Sequence, residues 1–456
     1  MKTQATAKAH KDGFYLVLIG CAIFILVGTA LELAAPVTTV DFRVVYYSAR
    51  CLLDHGDPYN PAQLDNTYRT QGGESPRDNP QIRRTERMYN YLPTAFPLTL
   101  TFALLPFGLA HWLWLGFTAS SLVLASFLMW QIAAQSAPLL AGLLVGLSLA
   151  NSELFLILGN PAGLAVGFCV IAVWCISQKR FVLAGLICFA LSLMLKPHDG
   201  GLVWLYFLFS GVENRRRAWQ ILGLVVLLSV PVIVWLSVVA PAWPGELQST
   251  LAIYSSHGDV NDPGPSSMAS HGIGMVICLQ AVVSLLRDDP RFYNPIVYLV
   301  CGGLLAIWLA KIVRRPAQRQ RVDWFALAPI AALTMLPVYH RIYDARLLLL
   351  SVPACAAVWA EGGLRAWLSG SLSSLGMVIT GGMPWAILLA VLKHGHAAVV
   401  SAAPMLVIAL QVVPVPLTLL AIGTFYLWVF VSDAAGRMKN PAPNMDIDTP
   451  NPKPAQ

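Results

Sequence analysis

Charged residues are scarce in this sequence. Asp, Glu, Lys and Arg make up 12% of the 456 residues while 57% are hydrophobic, a balance that excludes a water-soluble domain and points to a polytopic membrane protein. Cysteine outside the apolar runs is almost lacking. Cys21, Cys169, Cys175, Cys188, Cys278, Cys301 and Cys355 fall inside those runs and only Cys51 lies in a polar loop, so no disulfide framework can form. There is no C-x-x-C pair or His/Cys cluster to suggest zinc. No P-loop is present, and the only D-x-D, Asp446 with Asp448, falls in a proline-rich polar tail. These absences favour chemistry without nucleotide or metal. The net charge of +7 could suggest nucleic acid in a soluble domain. Here the cations collect at the ends of apolar runs, as they do on the cytoplasmic side of membrane spans, and nucleic acid is not expected as a partner.

What is present is a series of long apolar runs. The first, Phe14 to Leu33, follows Lys2, Lys8 and Lys11, and at about 20 residues it exceeds a signal-peptide core. It reads as an uncleaved span whose leading residues 1–13 lie in the cytoplasm. Asp41 then falls outside, at the head of a polar loop over residues 35–90, where Arg43 to His55 reads as a short surface helix ended by Gly56. Spans are expected at Tyr91 to Phe107 and His111 to Trp130. Pro138 to Gly159, broken at Asn151, Ser152 and Glu153, fits one span or two half-helices.

Lys179 and Arg180 mark one cytoplasmic turn, and Arg215 to Arg217 the next. The roughly 30 apolar residues between them, interrupted by Leu195 to Gly201, must go out and back as two short helices. That places Lys196, His198 and Asp199 at a turn sunk below the outer surface. Residues 241–271 contain no Lys or Arg and belong outside; their Gly, Pro and Ser content suits a mobile lid or binding loop. Trp324 to Val338 exits, Tyr339 to Arg346 turns outside, and Leu347 to Ala360 returns. Residues 436–456 read as a disordered cytoplasmic tail. The whole apolar region, residues 14–435, amounts to roughly 11 to 13 spans.

Four polar clusters thus share the outer side: Asp41 with Arg43, Tyr46 and Tyr47; Gly159 with Asn160; Lys196 with His198 and Asp199; and His340, Arg341, Tyr343, Asp344 and Arg346. Ionisable groups at membrane depth are costly and mark function by default. Each also has an ordinary explanation. Asp41 fits a helix-end carboxylate beside Arg43, Lys196 could snorkel or pair with Asp199, and His340, Arg346 and the tyrosines suit an interfacial belt. Gly159 and Asn160 fit a plain turn. Their common side is the stronger signal. One carboxylate can deprotonate a sugar hydroxyl that attacks a lipid-phosphate sugar, and cations such as Lys196 and Arg346 can hold the departing phosphate.

The run DFRVVYYSARCLLDHGDPYNP, Asp41 to Pro61, resembles the opening of glycosyltransferase family 87. Three later pieces agree in order: YNYLPTAFPL from Tyr89, GNPAGLAVG from Gly159 and AGLICFALSLMLKP from Ala184. The resemblance is good over roughly the first 210 residues and implies a GT-C-like, all-α polytopic fold. It also implies a polyprenyl-phosphate-sugar-dependent mannosyltransferase acting at the extracytoplasmic face, with Asp41 at the position of the family's proposed base. This chain departs from the pattern at Asn160, where the family often has Gln, at Cys188 in place of a small Gly, and at His198 and Asp199 after Lys-Pro.

The resulting expectation is an inverting, metal-independent hexosyltransferase of the bacterial inner membrane. Its partners are a polyprenyl-phosphate-linked sugar, a glycolipid or glycan acceptor and the bilayer; no cofactor is expected. Asp41 is the base. Lys196, Arg346 and His198 hold the donor phosphate, and Arg43, Tyr46, Asn160, Asp199, His340 and Tyr343 contact substrate. The rival readings are a transporter or lipid flippase, against which stands the lack of an internal repeat, and a non-catalytic membrane scaffold, which has no need to sink Lys196, His198 and Asp199.

Overall fold

A computed structural model of the chain describes residues 2–34, 39–71, 88–179, 181–267, 276–314, 322–395 and 404–436. It is an all-helical membrane protein. Among the described residues seven helices are long and apolar enough to cross a bilayer, or eight if the bent pair Gly363–Ile379 and Gly382–Leu388 is one span. The apolar helices Ala162–Gln178, Val182–Leu195 and Trp324–Leu333 are shorter, which is why the count differs from the sequence expectation. The expected disordered tail lies outside the described residues, apart from Gly436.

The first helix, Lys2–Ala34, packs parallel to Pro138–Ala150 through small residues. A Cβ on Gly142 would run into the backbone of Gly13, one on Gly20 into Gly146, and one on Gly146 would lie 2.6 Å from the Leu16 carbonyl oxygen. Helices without a water-driven force between them gain attraction by close backbone approach, which only such residues permit. Pro138 to Leu158 is therefore one broken span rather than two half-helices. At the break the side chains of Asn151 and Ser152 donate back to the carbonyls of Leu147 and Ser148, at 2.9 and 2.7 Å, so the interrupted backbone stays satisfied in an apolar setting.

The helix Phe107–Ala133 runs antiparallel to the first. His111 Nε2 lies 3.2 Å from Glu32 Oε1 at one end, and the His10 and Trp130 rings are 4.8 Å apart at the other. The expected span at Tyr91 to Phe107 is not found. Those residues form a 3-10 turn, Pro93–Ala95, and the eight-residue helix Phe96–Ala103, which is about 12 Å long and cannot cross. Prolines at 93, 97 and 106 cut the apolar run at both ends.

Lys179, Arg215 to Arg217 and Lys311 gather at one end of the bundle. Arg217 donates to the carbonyl of Ile176 at 3.1 Å, Lys179 pairs with Glu213 at 3.6 Å, and Lys311 reaches the carbonyl of Val431 at 3.2 Å. Val182–Leu195 leads away from this end and Pro197–Phe209 returns to it, with Lys196 at the far turn. The described part of the segment 241–271 forms the helix Trp243–Tyr254 and a loop on that far end. There Arg341 Nη2 donates to the Val260 carbonyl at 3.4 Å and the Tyr254 hydroxyl to that of Met88 at 3.4 Å.

Candidate active site

Asp41 stands in the first turn of the helix Val40–Leu53, which is not a span and is half sunk into the bundle through Phe42, Val45, Tyr46 and Tyr47. The start of this helix is pinned by Thr39, whose N–H donates to the Ile157 carbonyl at 2.6 Å. Gly159 makes the neighbouring corner. Its φ is +64°, a Cβ there would lie 2.7 Å from Phe42 Cβ, and its carbonyl accepts from Trp114 Nε1 at 2.8 Å, so only glycine fits. The corner turns Asn160 inward.

Asn160 is the centre of the site. Its Nδ2 lies 2.6 Å from Asp41 Oδ2, 2.8 Å from the Tyr343 hydroxyl and 3.5 Å from that of Tyr91, while its Oδ1 accepts from the Ala162 N–H at 2.8 Å. The D-P-Y run Asp57 to Tyr59, after the helix Val40–Leu53, contributes indirectly. Asp57 Oδ1 accepts from the Tyr59 N–H at 2.9 Å, and the Tyr59 hydroxyl donates to the Tyr91 carbonyl at 2.8 Å, which fixes Tyr91 beside Asn160.

Lys196 comes from the sunken turn. Its ammonium donates to Asp344 Oδ1 at 2.7 Å, lies 3.8 Å from Asp199 Oδ2 and stands 5.4 Å above the Tyr343 ring centroid. Asp344 also accepts the Arg341 N–H at 2.8 Å, at the start of a ten-residue 3-10 helix, Ile342–Ser351, that is buried throughout. Runs of that length are uncommon. His340 Nε2 lies 3.3 Å from Asp199 Oδ1, out of line for a hydrogen bond, and the His198 ring packs edge-on against it with centroids 4.9 Å apart. The His198 side chain is 37% exposed and marks the open side of the cluster.

Asp41, Asn160, Lys196, His198, Asp199, His340 and Tyr343 are therefore brought together. Arg346, Arg43 and Tyr46 are not. Arg346 is wholly buried and its two terminal nitrogens each donate at 2.8 Å to carbonyls, of Ser148 and Thr380, so it ties helix ends together. Arg43 lies over the Phe107 ring at 5.1 Å, and the Tyr46 hydroxyl donates to the Leu105 carbonyl at 2.7 Å. Arg341 is the cation that sequence reasoning left out of the site. It bonds the Tyr339 hydroxyl and its charge acts on Asp41.

Burial raises the Asp41 carboxyl above the ordinary carboxylate range, against the hydrogen bond from Asn160 and the charges of Arg341 and Lys196, which pull it down. A carboxylate raised in this way is better matched to taking up a proton near neutral pH.

Two trios bring metal-type ligand atoms within 4.8 Å of one another: His198, Asp199 and His340, and His257, Asp262 and Asp288. In the first, Lys196 already neutralises Asp199. In the second, Asp262 accepts from Gly258 N–H at 2.7 Å, Gly264 N–H at 3.2 Å and the Tyr293 hydroxyl at 3.2 Å, with His257 Nδ1 at 3.2 Å. The Asp262 carboxylate is thus engaged on both oxygens, whereas the two Asp199 oxygens have no hydrogen-bond partner among the described residues.

A cluster of ionisable and polar side chains at the far end of an all-helical bundle with several apolar helices fits a polytopic membrane protein. Residues 89–286, under half of the chain, match the family model described as Glycosyltransferase family 87, which supports the resemblance read from the sequence and a membrane glycosyltransferase as the class it points to. The matched stretch contains Tyr91, Asn160, Lys196, His198 and Asp199; Asp41, His340 and Tyr343 lie outside it. No curated protein and no solved structure matches the chain.

Proposed function

We propose that the chain transfers a hexose, mannose by the family resemblance, from a polyprenyl-phosphate-linked donor to a glycolipid or glycan acceptor, with inversion and without a metal. The observation that carries this reading is the Asp41 carboxylate, held by Asn160 in one cluster with the cations Lys196 and Arg341. The acceptor hydroxyl oxygen forms a bond to the anomeric carbon, its proton passes to Asp41, and the bond from that carbon to the phosphate oxygen breaks. The phosphate leaves as a stable anion, so no general acid is needed, and Lys196, behind the exposed His198, would hold its charge. Asp199, His340 and Tyr343 line the same space.

The cationic end of the bundle, at Lys179, Arg215 to Arg217 and Lys311, fits the cytoplasm by the positive-inside rule. The cluster then faces the extracytoplasmic side of a bacterial inner membrane, with the loop after Tyr254 over it. The test offers purified protein in lipid nanodiscs radiolabelled mannose on a polyprenyl phosphate and, separately, on a nucleotide, with an envelope lipid extract as acceptor. Transfer from the lipid-linked donor alone is expected. Transfer from the nucleotide donor alone refutes the reading, and movement of intact lipid-linked sugar between leaflets without transfer favours a flippase.

A further inference from the structure

We infer that Asn160 is the positioning residue of this site, fixing which oxygen of Asp41 meets the substrate and turning the Tyr343 hydroxyl into a donor toward it. The inference rests on Asp41 being the base. The amide of Asn160 cannot be turned over without cost. Its Oδ1 takes the Ala162 N–H at 2.8 Å, and a flip would set an NH2 group against that donor and leave both buried groups unpaired. The two hydrogens on Nδ2 must therefore serve its close oxygens, Asp41 Oδ2 at 2.6 Å and the Tyr343 oxygen at 2.8 Å. Tyr91 at 3.5 Å is the distant third.

Two consequences follow from that polarity. Asp41 Oδ2 is engaged by a protein donor, whereas Oδ1 accepts no hydrogen bond among the described residues, so Oδ1 is the oxygen that takes the proton. The Tyr343 oxygen already receives a hydrogen bond, so its own O–H must donate elsewhere, and no described protein group accepts it. One amide thus presents an acceptor and a donor side by side, the complement of a sugar hydroxyl that gives its proton to Asp41 next to a sugar oxygen that accepts from Tyr343. Lys196 over the Tyr343 ring keeps that ring from swinging away.

The test measures transfer against pH for wild type, Asn160→Ala, Asn160→Gln and Tyr343→Phe in nanodiscs, with folded fraction and donor KM followed in parallel. Loss of a hydrogen bond to a charged group predicts that Asn160→Ala lowers plateau kcat about 10- to 100-fold. Its acid limb moves up by about one pH unit or more, and donor KM is unchanged. Asn160→Gln, which keeps both donors on a longer arm, restores part of the shift. Tyr343→Phe lowers kcat and leaves the limb where wild type has it.

An acid limb that stays at its wild-type position in Asn160→Ala, with activity falling only as folded protein falls, overturns the inference. If Asn160→Ala does not fold, the isosteric Asn160→Asp decides: a second carboxylate must drive the limb up, and an unmoved limb refutes the role. Transfer that survives Asp41→Asn is a different result, since it removes the base itself.

Discussion

Replacing Asp344 by Ala removes the acceptor of two hydrogen bonds, from Lys196 Nζ at 2.7 Å and from the Arg341 N–H at 2.8 Å. The ammonium is then left in a site where its side chain is 9% exposed, with Asp199 at 3.8 Å as its remaining partner. Breaking a buried ion pair from one side costs about 3–5 kcal/mol, because the surviving charge has lost its solvent and its counter-charge together. Asp344→Ala should therefore raise the unfolding constant about 150- to 5,000-fold. Lys196→Met leaves two buried carboxylates unpaired and should cost a similar amount. The double variant should cost less than the sum by about 1–3 kcal/mol. Equilibrium unfolding in mixed micelles titrated with a denaturing detergent measures all four corners of this cycle. Single costs below about 1 kcal/mol that simply add, as exposed pairs do, would show that water reaches the pair.

Four further outcomes are expected. Gly146→Leu places a Cβ 2.6 Å from the Leu16 carbonyl oxygen and should cost at least about 1–3 kcal/mol by forcing the two parallel helices apart, read by the same unfolding assay. Gly159→Ala meets Phe42 Cβ at 2.7 Å in a positive-φ corner; it should lower the thermal midpoint and cut kcat more than it changes donor KM, because Asn160 moves with the corner. Arg346→Met loses its bonds to the Ser148 and Thr380 carbonyls and should destabilise the protein with donor KM unchanged, whereas a rise in KM would make Arg346 a donor ligand. The rate should fall on acidification, since Asp41 acts ionised. Because burial holds its carboxyl above the ordinary range, the wild-type acid limb should lie at higher pH than that of an exposed carboxylate; a limb at the ordinary carboxylate position would mean a hydrated Asp41.

The membrane class and the polar cluster opposite the cationic end were legible because charge is rare in such a chain. Each ionisable residue at the end of an apolar run stands out, and a turn between two cationic signals can only be the far end of an out-and-back pair. That logic located Lys196, His198 and Asp199 and set Asp41 beside them. It failed where apolar length alone was the guide. Tyr91 to Phe107 is long enough to cross, yet Pro93 and Pro106 bound a helix of eight residues, and the prolines were the signal to weigh. Within Tyr339 to Arg346 the two arginines are five residues apart, and a helical period could not show which faces Asp41. The 3-10 geometry of Ile342–Ser351 turns Arg346 toward Ser148 and leaves Arg341 at the site. The surface helix after Asp41 was foreseen within a few residues. That it would be half sunk was not, since its burial depends on the Gly159 corner, which is distant in sequence.

The most direct test compares wild type with Asp41→Asn in nanodiscs for transfer of radiolabelled mannose from polyprenyl-phosphate-mannose to an envelope lipid extract, with donor binding measured alongside. Asn keeps the shape at Asp41 and removes the proton acceptor, so transfer should disappear while donor binding persists. Transfer at the wild-type rate by Asp41→Asn would contradict the account and reduce Asp41 to a helix-end carboxylate.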